Sequence, residues 1–70
     1  MNLKSIEYFL ITVEEMNITK AAERLYITQQ ALSSHIQRLE DEYGVTLFER
    51  RPTFRLTRAG QEMVQYSRRI

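Results

Sequence analysis

The 70-residue chain predicts a mainly α-helical fold: three helices, a two-stranded β-hairpin, and a fourth helix that leaves the body. Three observations lead there. Apolar residues recur at helical spacing over residues 3–15 and 28–43. A side chain suited to helix capping precedes each helical stretch. Two short β-favouring runs, 45–48 and 54–56, flank a polar break that holds the sole proline, Pro52.

Leu3, Ile6, Phe9, Leu10 and Val13 share one face of the first helix, with Asn2 as its N-cap. Asn17 marks the break that follows. Thr19 is expected to cap a short second helix, 20–25, where the small Ala21 and Ala22 let another helix pack close. Tyr26 and Ile27 make a tight connection. Thr28 then caps the third helix, which runs to about Tyr43 and stops at Gly44. The runs 45–48 and 54–56 read as strands, with 49–53 as the hairpin tip. Thr57 caps the fourth helix, on which Ala59, Met63, Tyr66 and Ile70 form one apolar stripe and Val64 falls off it. No stop signal precedes Ile70, so this helix is expected to continue in a longer protein. The expected division is a domain over 1–57 and the start of a linker helix over 58–70.

Seventy residues make one small domain with a modest core. The absence of cysteine excludes disulfides and thiolate metal sites, and it fits a reducing cytoplasm. No metal-ligand spacing and no Gly-rich phosphate loop is present, so neither a metal nor a cofactor is expected. No apolar run approaches the roughly 18 residues of a membrane span, and Lys4 and Glu7 interrupt the only stretch where a signal core could lie.

The formal charge of +1 looks too small for a nucleic-acid partner, but its distribution is uneven. Before residue 47, Lys4, Lys20, Arg24 and Arg38 are outnumbered by seven carboxylates. From residue 47 on, Arg50, Arg51, Arg55, Arg58, Arg68 and Arg69 stand against Glu49 and Glu62 alone. Arginine suits phosphate forks and groove contacts. Charge alone does not separate this from an ordinary solvated surface.

The third helix is more informative. On a wheel of about 100° per residue, Leu32, Ile36, Leu39 and Tyr43 cluster on one side. Gln30, Ser33, Ser34 and Gln37 gather on the other, with Gln29 between the faces in the first turn. Exposed helix faces are usually filled with Glu and Lys. A face of amides and hydroxyls offers donors and acceptors without fixed charge, and glutamine can contact adenine N6 and N7 through two bonds. A short helix, a tight turn and a second helix with a polar N-terminal half form the helix-turn-helix layout; the arginine-bearing hairpin that follows is placed as a wing. Two other classes stand beside this one. A winged helix-turn-helix used only for protein contact would dispense with the Gln/Ser face and the basic wing. An enzyme subdomain would need a catalytic cluster, and the adjacent Ser34 and His35 point about 100° apart rather than at each other. Glu40, Asp41 and Glu42 read as a solvated helix end rather than an ion site.

The run Ile18-Thr19-Lys20-Ala21-Ala22-Glu23-Arg24-Leu25, followed by Ile27-Thr28-Gln29-Gln30-Ala31-Leu32-Ser33, resembles the signature of LysR-type bacterial transcription regulators. Ile36, Arg38, Leu39, Glu40, Gly44, Val45, Leu47, Phe48, Arg50, Leu56, Thr57, Ala59 and Gly60 continue the match across essentially the whole chain. The resemblance implies a winged helix-turn-helix that binds double-stranded operator DNA. It also implies a linker helix that makes homodimers, in full-length proteins that assemble as dimers or tetramers, and a small-molecule effector bound by a separate C-terminal domain. Carried over position by position, it puts base contacts at Gln29, Gln30, Ser33 and Ser34. Backbone or wing contacts fall at Thr19, Thr28, Gln37, Arg50, Arg51 and Thr53, and dimer contacts at Ala59, Met63, Tyr66 and Ile70. The chain departs from the family pattern in having Gln30 where proline is most common, Ser34 where arginine is common, and a wing about one residue shorter.

Overall fold

The computed structural model describes residues 2–69 and contains four helices and one hairpin in the order α1 (Leu3–Glu15), α2 (Ile18–Leu25), α3 (Gln29–Tyr43), β1 (Phe48–Glu49), β2 (Arg55–Leu56) and α4 (Arg58–Arg68). The strands are antiparallel, with Phe48 opposite Leu56 and Glu49 opposite Arg55. This is a winged helix-turn-helix.

Each helix starts where a side-chain oxygen takes an otherwise orphaned N–H. Asn2 Oδ1 accepts from Ser5 N at 2.8 Å, Thr28 Oγ1 from Ala31 N at 3.0 Å, and Thr57 Oγ1 from Gly60 N at 2.9 Å. The second helix differs from expectation. Its N-cap is Asn17, whose Oδ1 accepts from Lys20 N at 2.9 Å, and Thr19 lies exposed inside the first turn. Asn17 has the extended backbone of a cap, so the helix begins at Ile18. Three helices end in a left-handed residue: Met16 after α1, Tyr26 after α2 and Gly44 after α3.

α1 packs against both α2 and α3, and α4 returns against α1 and the hairpin. Phe9, Leu32, Ile36 and Leu47 are fully buried at the centre, with Ala21 and Ala22 giving α2 its close approach. Phe48 ties the hairpin to this core: its ring lies 5.7 Å from that of Phe9 and stacks on Phe54 at 4.9 Å. Leu3, placed on the buried stripe by its spacing, is 78% exposed; Tyr8 and Thr12 take part in the buried face instead. Thr12 is tolerated there because its hydroxyl donates to the Tyr8 carbonyl at 2.7 Å.

The strands are shorter than their β-favouring composition suggests. The backbone groups of 45–47 are committed elsewhere: Val45 N–H donates to the Glu40 carbonyl at 3.1 Å, and Leu47 N–H to the Glu40 carboxylate at 2.6 Å. The Leu47 carbonyl accepts from Thr57 N–H at 2.9 Å. Glu49 consequently belongs to a strand and not to the tip. On α4 the inward face is Gly60, Val64 and Ser67, while Ala59 and Met63 are half-buried and Tyr66 is exposed.

Candidate nucleic-acid interface

α3 is held as a rigid rod from both ends. Leu32, Ile36 and Leu39 anchor its inner face, Thr28 caps its start and Gly44 its end. Gln29, Gln30, Ser34 and Gln37 are exposed on the opposite side, and Ser33 is half-buried at the margin. Gln37 is steadied by donating from Nε2 to Asp41 Oδ1 at 3.0 Å. With Thr28 Oγ1 occupied by Ala31, the N–H groups of Gln29 and Gln30 have no acceptor within the helix, so the start of α3 is electropositive without a charged side chain.

The hairpin presents Arg50, Arg51 and Thr53, all exposed. Arg50 lies over the Phe54 ring at 5.9 Å from its centroid, which orients the guanidinium without neutralising it. Arg55 is different: it pairs with Glu49 at 3.0 Å across the strands. Arg24 is likewise committed, bridging α2 to Glu14 at 2.8 Å and Glu15 at 2.9 Å on α1. Among the described residues neither Arg50 nor Arg51 makes an ion pair, so the wing tip keeps its positive charge.

The placement of the wing depends on a residue that the sequence pattern had assigned to solvent. Glu40 is half-buried, and one carboxylate oxygen accepts from Leu47 N at 2.6 Å and Phe48 N at 3.3 Å. It clamps the last turn of α3 to the start of the hairpin. Local composition does not separate it from Asp41 and Glu42, although Glu40 alone of the three belongs to the matched signature; the reversal at Gly44 brings residues 47 and 48 back to it.

His35 sits edge-on to Tyr8 at 4.6 Å. Burial, then the cations Arg38 and Lys4, push its imidazole below the ordinary value. Among the described residues no group of three metal-ligating side chains converges, and no helix is long and apolar enough to cross a membrane.

Of the positions expected in dimer contacts, Ala59, Met63 and Tyr66 come together with Tyr43, Val45 and Glu62 along one open, mainly apolar groove. Tyr43, expected in the core, is partly exposed at its edge. Met63 also packs against the core. Ile70 lies outside the described residues.

The family model for bacterial regulatory helix-turn-helix proteins of the lysR family matches residues 3–61. The HTH-type transcriptional regulator AlsR of Bacillus subtilis is 44% identical over 69 residues, covering 97% of this chain and 23% of that protein. BenM of Acinetobacter baylyi is 45% identical over 69 residues, covering 96% and 22%. The chain therefore spans under a quarter of the length of these relatives. Among solved structures, the BenM DBD complex with catB site 1 DNA superposes with a TM-score of 0.90 at 41% identity, over 99% of this chain and 79% of that one. The CbnR DBD–DNA complex gives 0.90 at 34%, over 99% and 80%. On the extent of these matches, the chain belongs to the lysR family of bacterial regulatory helix-turn-helix proteins.

Proposed function

We propose that this domain reads operator DNA with the N-terminal half of α3 in the major groove and the hairpin as a wing on the backbone or in the minor groove. The α3 surface carries the proposal: Gln29, Gln30, Ser34 and Gln37 stand exposed and uncharged opposite the buried Leu32, Ile36 and Leu39. Gln29, Gln30, Ser33 and Ser34 take the base edges. The free N–H groups at the start of α3 meet a phosphate, and Thr19, Thr28, Gln37, Arg50, Arg51 and Thr53 hold the strands that flank the groove. That BenM and CbnR domains of the same shape have been solved on DNA supports this docking.

Residues 1–57 form the reading unit, and 58–70 begin a dimerisation helix. A second copy fits the apolar groove of Tyr43, Val45, Ala59, Met63 and Tyr66, because one exposed stripe on so small a domain needs a partner surface. In the bacterial cytoplasm, the whole protein acts as a transcription regulator and not as an enzyme, with its effector bound elsewhere in the chain. Selection from a random pool of duplexes tests the proposal. The expected product is an imperfect palindrome with half-sites about one helical turn apart. A recovered pool with no shared sequence contradicts base reading.

A further inference from the structure

We propose that Tyr26 is a DNA-backbone contact, its hydroxyl donating to a phosphate at the edge of the groove that α3 occupies; this rests on the reading of α3 given above. Tyr26 is 95% exposed, more than any other large hydrophobic side chain among the described residues. Its hydroxyl has no hydrogen-bond partner among them. Its backbone is left-handed, with φ 58° and ψ 40°, a conformation in which a Cβ crowds the following carbonyl and which helix ends normally give to glycine or asparagine.

The fold does not account for the side chain. The turn is closed by backbone groups alone: Tyr26 N–H donates to the Glu23 carbonyl at 3.1 Å and Ile27 N–H to the Ala22 carbonyl at 3.0 Å. A glycine would close it equally well. Met16 makes the contrast, since it adopts the same conformation after α1 but packs its side chain against the core. Gly44 solves the same problem after α3 with no side chain at all. Tyr26 thus combines a disfavoured backbone with a ring that buries nothing, and a local outlier of this kind points to a contact outside the molecule.

Its position identifies the partner. A single residue, Ile27, separates it from Thr28, the N-cap of α3, at most about 7 Å of backbone. A strand whose phosphate meets the free N–H groups of Gln29 and Gln30 passes this corner. Tyrosine there offers a neutral donor on a stiff ring, a suitable group for a phosphate oxygen.

The test compares Tyr26→Phe and Tyr26→Gly with the unmodified chain on random-sequence duplex DNA, across a salt series and with melting followed in parallel. Both variants are expected to bind about tenfold more weakly. The dependence of affinity on salt should not change, because no cation is removed. The Phe variant should melt with the unmodified chain, which separates the contact from folding. Full affinity in both variants, beside a weakened Arg50→Ala/Arg51→Ala control, overturns the role of Tyr26 and leaves that of α3 standing. Loss in the Gly variant alone overturns the hydroxyl's part in it. Failure of the unmodified chain to bind any duplex overturns both proposals together.

Discussion

One oxygen of Glu40 accepts the backbone N–H of Leu47 at 2.6 Å, binding the end of α3 to the start of the wing. A second N–H, from Phe48 at 3.3 Å, shares the same oxygen. Removing the carboxylate leaves both donors in a half-buried place with no acceptor. Glu40→Ala is therefore expected to cost about 1–3 kcal/mol in chemical denaturation, and Glu40→Gln, which keeps an acceptor oxygen, distinctly less. Equal stability of the Ala variant and the unmodified chain would show that Glu40 does not clamp the wing.

Gly60 reverses the usual rule for helix interiors. Replacing a helical glycine with alanine normally stabilises by up to about 1 kcal/mol. Here an added Cβ would collide with the Leu47 carbonyl oxygen and with the Leu56 side chain, at the point where α4 crosses the hairpin. Gly60→Ala is expected to destabilise by roughly 1–3 kcal/mol, read from the urea midpoint. A gain in stability would show that α4 sits further from the wing.

Asn17 and Thr19 compete on paper for the start of α2, and the structure gives the role to Asn17. Asn17→Ala should cost about 1 kcal/mol and Thr19→Ala a few tenths at most. The opposite order in thermal melting would restore Thr19 as the cap.

Much of the architecture was legible because it rests on local signals. The oxygens of Asn2, Thr28 and Thr57 each satisfy an N–H three residues on, and Gly44 ends α3, all within the reach of sequence pattern. The exposed amide face of α3 follows from its spacing against Leu32, Ile36 and Leu39. What escaped depends on long-range partners. The residues Val45, Thr46 and Leu47 have strand-like composition, but Glu40 and Thr57 claim their backbone; Thr57 Oγ1 also donates to the Thr46 carbonyl at 2.5 Å. Neither the clamp by Glu40 nor the crowding at Gly60 can be seen until α3, the hairpin and α4 are assembled. Tyr26 was legible as a turn residue, but its solvent-facing ring was not.

The wing arginines should behave as phosphate anchors and not as base readers. Arg50→Ala and Arg51→Ala are each expected to weaken binding to all duplexes alike and to lower the salt slope by about one unit. Arg55→Ala serves as the comparison, because Glu49 already neutralises Arg55 at 3.0 Å, and its slope should move little. An unchanged slope in the Arg50/Arg51 double variant would take the wing off the DNA.

Base reading by the uncharged face of α3 is decided by Gln30→Ala titrated on the selected site and on a random duplex at one salt concentration. The expected loss is about 1–3 kcal/mol on the selected site, with little change on random DNA. Equal losses on both would contradict base reading, leaving Gln30 at most a backbone contact.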